Sequence, residues 1–139
     1  MAEQPAGWTH HALEVRRSPI AGRGLFATAE VPAGTRVLGV AGADARVDRL
    51  GSGFPNHSCD PNLGWVDGQT LATMTDIAAG TELVTDYALA IVETDWFLRC
   101  HCPSYRCRQM VEGRDWQIPQ LQRRYAGWWA PAAQALIES

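Results

Sequence analysis

The chain has 139 residues, a net charge of −3 and 46% hydrophobic residues, which fits one globular domain and leaves little room for a second. This acidic balance argues against a general nucleic-acid binder, which usually carries a clear basic excess. No apolar run reaches the roughly 18 residues that are needed to cross a membrane. The first residues lack the pattern of a secretory signal, so we expect a cytoplasmic protein.

Short β-prone runs separated by turn residues fill the first two thirds of the chain. We predict six strands, at residues 12–17, 24–27, 36–40, 62–66, 69–74 and 82–85. Turn residues occur at 18–22, 31–34 and 78–80, and the pair Asp67-Gly68 is typical of a hairpin turn. Residues 42–53 have no clear pattern and are interpreted as mostly loop.

The last third changes character, because its apolar residues follow a helical spacing. We predict a helix at residues 117–125, where Pro119 is tolerated in the first turn, and a short closing helix at residues 132–137. Trp116, Trp128 and Trp129 are expected to pack this tail onto the rest of the domain.

Residues 100–107 read C-H-C-P-S-Y-R-C and place three thiols within eight residues. Free or disulfide-bonded cysteines are the alternative, but the clustering and the missing secretory signal favour metal ligation, and zinc prefers four such ligands. The fourth ligand must come from elsewhere, and Cys59 is the one remaining cysteine. His101 is a competing ligand, although we expect its cysteine neighbours to point it away from the metal.

Three further motifs are weaker when each is taken alone. Residues 56–62 read N-H-S-C-D-P-N, so a metal bound by Cys59 would hold Asn56 and His57 beside the cysteine cluster. Residues 82–87 read E-L-V-T-D-Y and are interpreted as a strand that ends in a polar pair. Residues 22–24 read G-R-G but lack the third glycine and the strand–helix setting of a dinucleotide-binding loop, which excludes that fold.

Taken together and in this order, the four motifs resemble those of the SET-domain methyltransferases, over residues 22–107. The resemblance implies a mainly β, β-clip-like SET fold of several short sheets, with a knot-like crossing of the N-H-S-C and D-Y segments and short C-terminal helices. It also implies a post-SET structural zinc site formed by Cys59, Cys100, Cys102 and Cys107. We assign residues 10–112 to the SET domain and residues 113–139 to a helical tail packed on it.

The same resemblance implies S-adenosylmethionine as the cofactor and a lysine side chain of a protein or peptide as the methyl acceptor. Tyr87 corresponds to the family's catalytic tyrosine, and Asp86 is expected to be structural at the crossing. The implied cofactor-binding residues are Gly22, Arg23, Gly24, Asn56, His57, Tyr87 and Met110, the last as a cover over the adenine.

The sequence departs from the family pattern at three places. Arg108 and Gln109 follow Cys107, where the family often has a glycine two residues on. The 31 residues between Gly24 and Asn56 form a shorter insert than usual, so a partner, a second copy in a homodimer or the tail would supply one wall of the substrate groove. Thr85 stands where the family often has an aromatic residue that limits the number of methyl groups.

Two alternatives remain at this stage. The short insert favours a methyltransferase that acts on a small-molecule amine, since a reduced groove suits a compact substrate. A non-catalytic SET-like binding module would keep zinc and cofactor without turnover, and the intact Tyr87 argues against it. Histones are familiar substrates of the family, but no residue here singles them out.

Overall fold

The computed structural model describes residues 7–40 and 55–139. Within these ranges the chain forms nine short strands: β1 Leu13–Arg17, β2 Arg23–Ala27, β3 Arg36–Gly39, β4 Asn56–His57, β5 Leu63–Trp65, β6 Thr70–Thr73, β7 Glu82–Thr85, β8 Phe97–Arg99 and β9 Met110–Glu112. Two 3₁₀-helices and two α-helices accompany them: Tyr87–Leu89, Asp115–Gln117, α1 Pro119–Arg124 and α2 Pro131–Glu138. None of the helices in the described ranges could span a membrane.

All six strands predicted from the sequence are present, and each end lies within one residue of its predicted position. The sequence did not predict β4, β8 and β9, because their segments N-H, F-L-R and M-V-E form no run of β-prone residues between turns. The loop predicted at residues 42–53 lies outside the described residues.

The predicted helix at 117–125 is a 3₁₀-helix followed by α1, with extended backbone at Ile118 between them. The physical reason is Pro119, whose ring disfavours helical backbone in the residue before it. The second predicted helix is present as α2, one residue longer at each end.

Strand β7 organises the larger sheet because three other strands pair with it. The order is β1-β2-β7-β5-β6-β3, with β2 antiparallel to β7 and both β4 and β5 parallel to it. The pairing of Asn56 with Val84 and of His57 with Thr85 lays the N-H-S-C segment beside the strand that leads to Tyr87. Strands β8 and β9 form a separate antiparallel hairpin, and Cys100 directly follows β8.

The C-terminal tail shares its core with the larger sheet. Tyr125 and Trp129 belong to the same buried cluster as the sheet's leucines, and Trp116 packs against it. The ring of Trp128 lies against Gly64 so closely that a Cβ there would stand 2.6 Å from it. The expected packing role of the three tryptophans is confirmed, whereas the domain boundary after residue 112 stays a prediction.

A second, smaller cluster of buried residues surrounds the cysteines. Its buried members are Cys59, Ala88, Cys100, Cys102 and Val111. Three of these five residues are cysteines, and Trp96 and Leu98 pack against the cluster while only partly buried. Fully buried apolar side chains are therefore few in this region.

Candidate active site and metal centre

The four cysteines converge as the sequence predicts. Cys59 follows β4, and the other three lie in the loop between β8 and β9. Their four sulfur atoms all lie within 4.8 Å of one another, and the Sγ atoms of Cys59 and Cys100 are 3.9 Å apart. A tetrahedral zinc ion with Zn–S bonds of about 2.3 Å requires sulfurs about 3.8 Å apart. The donor set and its spacing therefore fit a structural zinc ion.

The competing ligand, His101, is exposed and does not belong to this sulfur cluster.

Burial raises the pKa of Cys59 to about 11 and raises that of Cys100 further. Without a cation both sulfurs would keep their protons at neutral pH, so a bound zinc ion would displace them. Cys102 donates its backbone N–H to Cys100 Sγ over 3.4 Å, which favours the thiolate form of that sulfur.

A cavity of about 310 Å³ adjoins the cysteine loop. Its lining residues are Ile20, Ala21, His57, Tyr87, Leu98, Arg99, Cys100 and His101. The volume falls at the lower end of small-molecule sites. The cavity is lined by residues just before the G-R-G motif and by two predicted site residues, His57 and Tyr87, so it is the candidate cofactor site.

Asn56 holds the G-R-G loop in place. Its side-chain nitrogen donates to the backbone oxygens of Ala21 over 3.0 Å and Arg23 over 3.1 Å, and to the Glu82 carboxylate over 2.9 Å. Ser18 donates its hydroxyl to the same carboxylate over 2.8 Å. Sequence analysis missed Ser18 and Glu82, because contacts between residues 64 positions apart leave no local pattern.

The glycines of the loop have different physical roles. Gly22 has a φ of +41°, which other residues rarely adopt. Gly24 is buried, and a Cβ there would collide with the Glu82 carboxylate and with Asn56. The Arg23 side chain between them is exposed. Gly24 therefore lets the loop lie directly on Asn56, and Ala21 just before the loop lines the cavity. The residues that line the cavity do not include Gly22, Arg23, Gly24 or Asn56, so their cofactor roles stay predictions.

His57 connects the cavity to the cysteine cluster. Its Nδ1 accepts the backbone N–H of Tyr87 over 3.0 Å, so Nε2 carries the proton of the neutral ring. That Nε2 lies 3.4 Å from Cys59 Sγ and can donate to it. Burial lowers the pKa of His57 to about 4, even though the charge of Asp86 opposes this shift. The ring is therefore neutral at physiological pH.

Tyr87 begins a 3₁₀-helix and lies edge-on to the His57 ring, with the ring centres 5.3 Å apart. Its hydroxyl donates to the backbone oxygen of Pro55 over 2.7 Å. Burial raises its pKa to about 12, so the phenol is neutral at physiological pH. A neutral, buried hydroxyl of this kind can orient a polar group of a ligand.

Asp86 is completely buried and has partners on both carboxylate oxygens. Arg108 donates to Oδ2 over 2.6 Å and to Oδ1 over 3.0 Å, and Tyr125 donates its hydroxyl to Oδ2 over 3.0 Å. This arrangement fits the structural role expected for Asp86. Neither Arg108 nor Tyr125 was predicted to lie here, because nothing in the sequence marks which arginine or tyrosine pairs with a given aspartate.

Met110 lies on β9 with 38% of its surface exposed, and the residues that line the cavity do not include it. Leu98 on the neighbouring strand β8 lines the cavity instead. The assignment of Met110 to the adenine stays a prediction. Gln109, where the family often has glycine, has a φ of +64°, so the backbone keeps the left-handed conformation without the residue that suits it.

The chain is similar to known proteins both in sequence and in fold. No protein-family model matches the chain. It is 28% identical to Histone-lysine N-methyltransferase 2B of Homo sapiens, and the match covers 72% of this chain but 5% of that protein. The chain therefore spans a small fraction of the length of this relative.

Two solved structures of KRYPTONITE share the fold. One is a complex with mCHG DNA and SAH, which superposes with a TM-score of 0.55 at 25% identity. The other is a complex with mCHH DNA, an H3(1-15) peptide and SAH, with a TM-score of 0.54 at 27% identity. Each match covers 70% of this chain, and 28% and 29% of the respective KRYPTONITE chains.

Proposed function

This chain is a SET-domain protein, and we propose that it transfers the methyl group of S-adenosylmethionine to the side-chain amine of a lysine in a protein or peptide. The observation that carries the proposal is the joint position of His57 and Tyr87. Both side chains line one cavity that directly adjoins the four-cysteine cluster. The resemblance of the sequence motifs to the SET family implies these same two residues at the cofactor site.

The residues around the cavity fit the proposed cofactor. The backbone of the G-R-G loop, held by Asn56, and the neutral ring of His57 would bind its polar groups. When bound, S-adenosylmethionine supplies an electrophilic methyl group on a positively charged sulfur. Tyr87 keeps lone pairs on its neutral hydroxyl oxygen, which can accept an N–H bond of the incoming amine and direct its lone pair.

The amine must lose its proton before it can react, since free lysine has a pKa of about 10.4. A desolvated site favours the neutral form of an amine, and the burial of Tyr87 and His57 indicates such a site. Alignment of the two reactants and exclusion of water would supply most of the rate. In this proposal Asp86 takes no proton, because its oxygens are engaged by Arg108 and Tyr125.

The relatives support a lysine acceptor. One is named as a histone-lysine methyltransferase, and one KRYPTONITE complex contains an H3(1-15) peptide together with SAH. The KRYPTONITE complexes also contain DNA, whereas the net charge of −3 of this chain gives no indication of nucleic-acid binding. The substrate, like the cytoplasmic location, therefore stays a prediction for this chain.

A native mass spectrum with and without S-adenosylmethionine tests the proposal first. We expect one zinc ion and one cofactor molecule per chain. Methyl transfer from labelled cofactor to a peptide library then tests the acceptor, and because the chain contains no lysine, label on protein lysine must lie on the substrate. Zinc binding without cofactor binding would reject the enzyme proposal in favour of a binding module.

Tyr87→Phe separates the catalytic role from the binding role. The variant removes the hydroxyl alone, so we expect turnover to fall by at least about a hundredfold while cofactor affinity changes little. Phe26→Tyr, on a partly buried position of β2, serves as a control for aromatic substitution in the sheet. Unchanged turnover in Tyr87→Phe would remove this residue from its assigned role.

A small-molecule amine is the second candidate acceptor, favoured by the short stretch of 31 residues between Gly24 and Asn56. The same labelled assay distinguishes the two acceptors when small amines are supplied beside the peptide library. Label that enters only small amines would correct the substrate class and leave the cofactor assignment intact.

A further inference from the structure

A buried charged cluster lies behind Tyr87, and the proposed chemistry does not use it. The two terminal nitrogens of Arg108 bind the two oxygens of Asp86, over 2.6 Å and 3.0 Å. The same guanidinium donates from Nε to Oδ2 of Asp115 over 3.1 Å. Tyr125 adds its hydroxyl to Asp86 Oδ2 over 3.0 Å. One cation thus bridges two carboxylates that are both nearly or fully excluded from solvent.

The members of this cluster come from three separate segments. Asp86 directly precedes Tyr87, and Arg108 directly follows the zinc-ligand candidate Cys107. Asp115 and Tyr125 belong to the C-terminal tail. A single guanidinium therefore touches the cysteine loop, the tail and the segment that carries the proposed catalytic tyrosine.

We propose that Arg108 is a positioning residue, which fixes the backbone at Tyr87 to both the cysteine loop and the C-terminal tail. The inference rests on the proposed function in one respect, the catalytic role of Tyr87. Its structural content, that Arg108 and the tail control the order of this segment, holds independently of the reaction.

Asp86 transmits the position of Arg108 to the backbone at Tyr87. Its Oδ1 accepts the N–H of Ala88 over 3.0 Å, which caps the 3₁₀-helix that Tyr87 begins. A carboxylate that rotates away from Arg108 would release this cap. The tyrosine ring and hydroxyl would then lose the fixed backbone from which they project.

A second path connects the same segment to the cysteines. The N–H of Tyr87 binds His57, whose Nε2 lies 3.4 Å from Cys59 Sγ. That sulfur also accepts the backbone N–H of Arg108 over 3.4 Å. These contacts close a ring between Arg108 and Tyr87. The Arg108 side chain reaches the Tyr87 segment through Asp86, and the Arg108 backbone N–H is held by Cys59 Sγ.

The geometry requires arginine rather than any cation. A planar guanidinium can bind two oxygens of one carboxylate and still present Nε to another, whereas an ammonium group is a compact point charge. Loss of the cation would leave Asp86 and Asp115 as buried, uncompensated carboxylates, which strongly destabilises a fold. Lysine keeps the charge but not the simultaneous contacts.

The test compares Arg108→Lys with Arg106→Lys in the zinc-loaded full chain. Arg106 lies in the same loop, pairs with Asp60 at 3.5 Å and donates to the Tyr105 hydroxyl over 3.1 Å. These side chains are all substantially exposed, so its replacement changes only surface contacts. The readout is hydrogen exchange at the amides of Tyr87 and Ala88. We expect exchange there to accelerate by about tenfold or more in Arg108→Lys and to stay unchanged in Arg106→Lys.

General destabilisation is distinguished by location. If Arg108 were only a stability element, exchange would rise equally in β2 and β6, which form no hydrogen bond or ion pair with the charged cluster in the described part of the chain. Asp115→Asn is a gentler variant in case Arg108→Lys fails to fold, because it keeps the shape of the side chain and the pair between Arg108 and Asp86. It should accelerate exchange at Tyr87 and Ala88 by a smaller factor, together with exchange in the tail.

Unchanged exchange at Tyr87 and Ala88 in Asp115→Asn, or in a folded Arg108→Lys, overturns the inference. With a methyl acceptor in hand, Arg108→Lys should lower kcat about tenfold and leave the KM for the acceptor within about twofold. A chain that binds zinc but no cofactor would reject the proposed function, while the exchange comparison would still decide the role of Arg108.

Discussion

The larger sheet and the cysteine region rely on different stabilising interactions. The sheet buries leucines, valines and Trp65 in one continuous core that also takes in the tail. The cysteine region buries three cysteines with Ala88 and Val111, and Trp96 and Leu98 pack against them only partly buried. Apolar burial contributes about 25 cal/mol per Å², so the first region has a driving force of its own, while we expect the second to need the proposed metal ion and the paired charges.

This difference explains where the candidate active site lies. His57 ends β4 and its Nε2 lies 3.4 Å from Cys59 Sγ, while Tyr87 lies two residues after β7 and lines the same cavity as Cys100. Both residues therefore stand between the two regions. A site at such a boundary has rigid sheet on one side. Its other side includes the cysteine loop, so we expect binding of the proposed cofactor to depend on the metal.

Cys102→Ser breaks the comparison most strongly. A structural zinc ion in a small motif contributes on the order of 10 kcal/mol, so the loss of one thiolate should release it and disorder the cysteine loop. The sheet should persist, because its buried cluster contains no cysteine among the described residues. We expect loss of zinc by mass spectrometry, cofactor affinity lower by at least about tenfold and a largely retained far-ultraviolet dichroism spectrum.

His101→Ala is the matched control, since His101 lies between two ligand candidates but is exposed. It should keep one zinc ion per chain. Zinc loss in this variant would make His101 a ligand, and unaltered cofactor affinity in Cys102→Ser would contradict the dependence of the site on the metal.

Leu83→Ala tests the opposite side of the comparison. Leu83 is fully buried on β7 opposite Leu25, and its truncation should lower the free energy of unfolding by about 3 kcal/mol. The zinc ion should stay bound in the folded protein. Chemical denaturation and zinc content are the measurements, with Val15→Ala on the exposed face of β1 as a control that should cost less than about 0.5 kcal/mol. Zinc loss under native conditions would mean that the two regions are not separable.

Gln109→Gly sharpens the comparison with the smallest effect. Glycine adopts the positive φ of this position without strain, so the variant should raise the free energy of unfolding by about 0.5–1 kcal/mol and slow zinc release. Gly80→Ala, at a φ of +86° in a turn beside the sheet, is the reverse control and should destabilise. A destabilised Gln109→Gly would show that the glutamine side chain makes a contribution larger than its backbone strain.

Six strands of the larger sheet could be predicted because β-prone residues run between turn residues there, as the Asp67-Gly68 turn after β5 shows. The strands β4, β8 and β9 were not predicted, since their two or three residues form no such run. The cysteines, the G-R-G loop and the N-H-S-C segment were identified by residue type and spacing. Their assignment to one site came from the resemblance of the combined motifs to the SET domain.

The sequence did not predict which residues form hydrogen bonds with those motifs. Glu82 and Ser18 beside Asn56, and Arg108 with Tyr125 beside Asp86, are joined across 22 to 64 positions of sequence. The chain contains several arginines and tyrosines that could form the same hydrogen bonds, so the sequence does not indicate which of them does.

By itself, the sequence determined six of the seven strands of the larger sheet and the four cysteines that converge, because these depend on runs of β-prone residues or on a residue type with few alternatives. The metal bound by the cysteines and the role of Tyr87 stay predictions. Only the tertiary structure decided which charges pair in the interior, that the tail enters the main core, and that Asn56 binds the G-R-G loop. The physical reason is that a hydrogen bond or ion pair depends on position within a few tenths of an ångström, and such positions are set by the packing of the whole chain.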